Sequence, residues 1–255
     1  LTVNVELCKL TEDFMFSFAF MEHDSNYSNP DTDDFARANL RCDTEFKLGV
    51  LKFKDLFLTN TDALLHADLH TGSLMANSDE TSVIAMEFAF IGPFGFDVGK
   101  IIANFLMSYT SHFYHSDDDS YQSWLLDEAM NIWKRFEARF LELWSAQGES
   151  AMLVDGFLAE NEFNEYKKRL MRNVFHDSLG FCACSLARRT LGIAGVADIR
   201  DIEDTEKRSR LEIINLELSR LLLSKHEEID TIEQFESTLQ DFYKNVNPST
   251  LELEK

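Results

Sequence analysis

Apolar residues recur at three- and four-residue spacing along most of the chain, the pattern of helices that bury one face. Phe46, Val50, Phe53 and Phe57 form one such stripe. Asp31, Asp33 and Asp34 supply acidic caps ahead of it, so a helix is predicted from there through about Leu58, after the turn at Tyr27-Ser-Asn-Pro30. Ile101, Ile102, Phe105 and Leu106 predict a helix over about Val98–His112, with Asp97 as its N-cap. Trp124, Leu125, Ile132, Trp133, Phe136, Phe140 and Leu143 mark another over Ser120–Ser145, broken at Gln147-Gly-Glu-Ser. Glu160–Leu191 predicts one long helix, or two with a bend near Gly180. Asp204–Lys225 and Thr231–Val246 predict two more, the last stopped by Pro248.

The pattern changes between Leu64 and Gly99. Ala63–Ala67, Leu74–Ala76 and Ser82–Met86 have strand character, and Asn77-Ser-Asp-Glu carries turn chemistry. The expected fold is mainly α, with one small β-hairpin over about 63–87 and an almost wholly helical stretch from 98 to 246. Polar side chains crowd one end of that hairpin: His66, Asp68, His70 and Ser73, with Glu87 downstream. Such a set has three readings. An Asp can accept the proton of a substrate hydroxyl in phosphoryl transfer, with an acid after the next strand holding a metal. His66, Asp68 and His70 can instead be metal ligands of a hydrolase, since alternate residues of a strand share a face. The two His can also simply hydrogen-bond the loop. Spacing alone leaves all three open.

The segments ALLHADLHTGSLM and VIAMEFAFIGPFGFDVG resemble the catalytic and metal-binding region of S-methyl-5-thioribose kinases, of the aminoglycoside-phosphotransferase-like and protein-kinase-like superfamily. The family writes these blocks as His-Gly-Asp-Leu-His-Thr-Gly-Ser and as Asp-Pro-Glu-Phe followed by Gly-Pro-x-Gly-Phe-Asp. VNVELCKLTEDFMF and RRTLGIAGVADI are similar to further family segments. The resemblance implies that residues 1–255 form the C-terminal, substrate and catalytic lobe of a kinase-like fold. It also implies that the N-terminal nucleotide lobe is absent, for no Gly-rich loop or strand-borne Lys precedes the motif. The implied activity is ATP-dependent phosphorylation of the 1-hydroxyl of S-methyl-5-thioribose, in methionine salvage, with ATP and magnesium as cofactors. Asp68 would be the base, and Glu87 the magnesium contact. Arg188 and Arg189 would hold the sugar and the developing phosphate charge, and His66, His70 and Ser73 would support the loop. A cytoplasmic homodimer is the implied setting.

Four positions depart from the family pattern. Ala67 replaces a Gly, Gly195 replaces a common His, and Ala85-Met86 replace Asp-Pro. An Ala offers no side-chain oxygen to a hard cation. The chain alone is therefore expected to be inactive or impaired. A non-catalytic binding or scaffold module stands as the alternative, and a metal hydrolase as a weaker one. For Arg188 and Arg189, spacing favours a plain role, since cations suit a helix C-terminus and Gly192 follows. The resemblance favours the substrate role, which suits the planar fork of Arg.

Composition narrows the partners. The chain has 45 acidic and 24 basic residues and a net charge of −21, which argues against binding a nucleic-acid backbone but not against a local ATP site. No apolar run reaches membrane-spanning length and no signal peptide is visible, so no membrane partner is expected. The chain starts at Leu1, as a fragment does. Cys8, Cys42, Cys182 and Cys184 are expected to be reduced, small core residues.

Overall fold

The computed structural model describes residues 4–27, 29–115, 119–146, 154 and 156–246. The amphipathic stripes become helices. Helix α1, Val5–Phe16, leads into a short helical turn at Phe18–Phe20. Helix α2, Pro30–Ala36, continues as a widened turn through Arg37–Arg41. The single helix expected up to Leu58 is then interrupted. Asp43 adopts extended backbone, its carboxylate accepts the Phe46 N–H at 3.1 Å, and helix α3, Thr44–Thr59, starts afresh.

The expected hairpin is two separate antiparallel pairs. Strand β1, Ala63–Leu65, pairs with β4, Phe90–Gly92, with Ala63 opposite Gly92. Strand β2, Leu74–Ala76, pairs with β3, Thr81–Val83, around a turn in which Asn77 Oδ1 accepts the N–H groups of Asp79 and Glu80. The strand expected over Ser82–Met86 ends early. Ala85 has a left-handed backbone, φ 65°, and Met86–Phe88 forms a helical turn. Positive φ cannot continue an extended run.

From there the chain is helical: α4 Gly95–His115, α5 Asp119–Ala146, α6 Glu160–Leu191, α7 Ala197–Arg200, α8 Thr205–Lys225 and α9 Ile232–Val246. Only the short α7 lacks a counterpart in the periodicity. The breaks read at 147–150 and at Pro248 lie outside the described residues. Helix α6 runs unbroken through Gly180. A Cβ there would lie 1.7 Å from Phe53 Cζ, so this glycine makes room for a ring. Phe96 links the layers, with ring centroids 5.0 Å from Phe57 and 5.2 Å from Phe181. Cys182 and Cys184 are buried in α6 as expected, Cys8 is half-buried, and Cys42 is exposed, contrary to the core role expected for it. No described helix is long and apolar enough to cross a membrane.

Helices α4 and α6 approach backbone to backbone. A Cβ on Gly99 would lie 2.3 Å from the Ser178 carbonyl oxygen and 2.8 Å from Cys182 N. Backbone cannot step aside as a side chain can. Gly99→Ala is therefore expected to destabilise the fold by about 1–3 kcal/mol, read from urea denaturation. An unchanged midpoint would mean that the two helices separate freely.

Candidate active site

The close approach of α4 places its first turns under the loop 66–73. Asp97, expected as an N-cap, lies within the helix, and its carboxylate serves the loop instead. It accepts the backbone N–H of His66 at 2.7 Å and of Ala67 at 3.0 Å. Both donors would otherwise be buried and unpaired. Burial pushes the Asp97 carboxyl up, against those two hydrogen bonds and the Lys100 charge. One helical turn on, Lys100 is buried and donates to the Ala67 carbonyl at 2.9 Å and to Asp68 Oδ1 at 2.7 Å. Burial lowers the Lys100 ammonium to about 8, in spite of Asp68 and with the help of Arg188 and Arg189.

The loop is fixed by its own side chains. His66 Nδ1 accepts the Asp68 N–H at 3.2 Å and Nε2 donates to the Ile84 carbonyl at 2.8 Å, so both ring nitrogens are engaged by backbone. The Ser73 hydroxyl accepts the His70 N–H at 2.9 Å and lies 2.8 Å from the His70 carbonyl oxygen. His70 Nδ1 accepts the Gly72 N–H, which leaves Nε2–H facing Asp68 Oδ2 at 3.6 Å. Ala67 holds a left-handed backbone, φ 67°, where the family writes Gly. Ala67→Gly is expected to raise stability by about 0.5–1 kcal/mol in urea denaturation, the strain relieved less the added freedom of the unfolded chain.

Helix α6 brings its last turn to the same place. Arg189 Nη2 lies 3.8 Å from Asp68 Oδ1. Arg188 lines a cleft of about 200 Å³ together with Asp68 and Lys100. Burial, then the neighbouring Arg189, lowers the Arg188 guanidinium to about 10. Burial also works against ionised Asp68, but His70, Lys100 and Arg189 outweigh it and hold the carboxyl far below the usual range. The remaining walls of the cleft are mostly apolar, with Leu10, Phe14, Met15, Phe88 and Ile193 beside Thr11. The site is therefore an ionised acid beside three cations, opening onto apolar surface.

Glu87 is exposed, and its backbone carbonyl accepts from Asn4 Nδ2 at 2.6 Å. It is the one carboxylate left of the expected pair, because Ala85 offers no oxygen. Lys100 already occupies Asp68 Oδ1. The donor set thus falls short of a two-carboxylate magnesium site. A hydrolase metal on His66, Asp68 and His70 has a more direct obstacle, since both His66 nitrogens are already committed to backbone. His112 and His115 likewise face carbonyls, of Ser108 and Asp198.

Sequence reasoning did not single out Lys100, and it gave Asp97 a different role. One signal was present. A Lys near the start of an apolar helix opposes the helix dipole, so it calls for a buried anion as partner.

Mainly helical, with short antiparallel pairs that carry an acid among cations, the chain has the architecture of the C-terminal lobe of a protein-kinase-like fold. No protein-family model matches it. Methylthioribose kinase 1 of Oryza sativa subsp. japonica is 36% identical over 246 residues, covering 94% of this chain and 57% of that protein. The methylthioribose kinase of Geobacillus thermodenitrificans is 39% identical over 234 residues, 91% of this chain and 55% of that protein. That of Bacillus cereus is 36% identical over 238 residues, 93% of this chain and 57% of that protein. The chain is a relative of the methylthioribose kinases along its own span, and it matches a little over half the length of each.

Proposed function

We propose that this chain contributes the acceptor side of an ATP-dependent kinase that phosphorylates the 1-hydroxyl of S-methyl-5-thioribose. The observation that carries the proposal is the cleft at Asp68, ionised and polar at one end and apolar at the other. Methylthioribose has the same division, a polyol ring and a thioether arm. The names of the relatives support the same substrate. Lys100 occupies Asp68 Oδ1, so Oδ2 is the oxygen left to accept the hydrogen of the sugar hydroxyl. A carboxylate held so far below its usual range is a weak base, and its work is to orient. That suffices in phosphoryl transfer, whose transition state asks mainly for positioning and charge stabilisation. The sugar oxygen bonds to the γ-phosphorus, the bond to ADP breaks, and the hydroxyl proton leaves by way of Asp68. Arg188 and Arg189 stabilise the charge on the transferred group.

Magnesium would accompany ATP, and Glu87 is the residue of this chain that would contact it. The proposal includes a cytoplasmic homodimer on family resemblance alone. A second reading, a binding module without catalysis, is favoured by one observation, the Ala at position 85. Product formation from ATP and methylthioribose, assayed with a nucleotide-binding lobe supplied, separates the two.

A further inference from the structure

The polar chain continues behind Arg189 into the core. Glu212 of α8 is 2% exposed. Its Oε2 accepts from the Thr32 hydroxyl at 2.5 Å and from Asn29 Nδ2 at 3.3 Å. Its Oε1 is buried and has no hydrogen-bond partner among the described residues, and the same holds for the Nε groups of Arg189 and Arg200. These three side chains line one small pocket of about 10 Å³ together with Thr190, Val196 and Ile199. Arg200 is itself clamped. Its terminal nitrogens donate to the carbonyls of Gly192 and Ile193, just past the end of α6, and its guanidinium lies 4.2 Å over the Tyr27 ring. The family departure at Gly195 belongs to this arrangement, for a Cβ there would lie 1.9 Å from Arg200 Nε.

Three buried, unpaired polar atoms on side chains that line one small pocket are costly, and a single water that met all three would remove the cost. One O–H can reach the carboxylate while the oxygen lone pairs receive two N–H groups. We propose that one trapped water joins Glu212 Oε1 to the Nε groups of Arg189 and Arg200, and that Glu212 is thereby a positioning residue that holds the Arg189 guanidinium toward Asp68. The effect on substrate rests on the sugar-kinase reading above; the bridge itself does not.

Glu212→Gln keeps the shape and removes the charge. Three measurements on the unmodified protein and this variant test the proposal. A crystal structure of the unmodified protein is expected to show density for one water between the three groups. The Arg189 Nε–H resonance is expected to move in the variant. Methylthioribose binding is expected to weaken about tenfold in the unmodified background and less than about twofold when Arg189 is already Met, because the two residues act in series. An Arg189 resonance that stays in place, or equal losses in both backgrounds, would make Glu212 a structural residue only and overturn the proposal. An empty cavity would overturn the bridge. If the unmodified protein binds no methylthioribose, the sugar-kinase reading fails, and the density and the resonance still decide this inference.

Discussion

These 255 residues, mixed with ATP, methylthioribose and magnesium, are expected to give no appreciable product. Kinase catalysis is mostly positioning and charge stabilisation. The described residues ahead of Asp68 form helices and one short strand, and the sequence there has no Gly-rich run to cover a triphosphate. Position 85 also lacks the carboxylate that the family places there. One preorganised electrostatic contact is worth roughly a hundredfold to a thousandfold in rate, and a primary metal ligand counts for at least as much. Joining the chain to the nucleotide lobe of a methylthioribose kinase should therefore rescue little, and the same fusion carrying Ala85→Asp should turn over at least about a hundredfold faster. The left-handed backbone at Ala85 does not obstruct the change, because Asp tolerates that region better than Ala does. The assay compares product formation by the chain, the fusion and the substituted fusion. Robust turnover by the chain alone would contradict the expectation. Equal turnover by the two fusions would show that Glu87 suffices for the metal.

Asp97→Ala is expected to cost on the order of 2–5 kcal/mol of stability, because it leaves two buried backbone donors without an acceptor. The donors are the N–H groups of His66 and Ala67, which lead into the left-handed backbone at Ala67, just ahead of Asp68. The favourable interaction of the Asp97 carboxylate with the Lys100 charge would be lost at the same time. Asp97→Asn keeps one acceptor oxygen and should lose about half as much. Urea denaturation measures both. A loss below about 1 kcal/mol for the Ala variant would mean that the loop holds its shape without α4.

The helices were legible because three- and four-residue spacing survives any detail of packing. Asp43 was missed as a helix start because the acidic run at Asp31, Asp33 and Asp34 was read as the cap for the whole stretch through Leu58. Three β segments were legible as strands, Phe90–Gly92 was not, and the pairing was not legible at all. Three-residue strands carry too little pattern to fix a partner, and the pairing turned on a positive φ at Ala85 that an Ala does not announce. Asp97 looks the same in sequence whether it caps its own helix or holds a distant loop. The twin Arg had two readings, helix end and substrate contact, and the geometry makes them compatible. Arg188 and Arg189 sit in the last turn of α6, and that turn ends at the Asp68 cleft. Gly195 could be marked as a departure, but its reason is the Arg200 guanidinium, which fills the space from another segment.

The central claim is that the cleft around Asp68, Lys100, Arg188 and Arg189 takes methylthioribose. Calorimetric titration of the sugar into the unmodified chain, Asp68→Asn and Arg189→Met tests it without requiring turnover. The account predicts saturable binding at one site, weakened about tenfold or more by each substitution. Absence of binding, or binding that neither substitution changes, would contradict it.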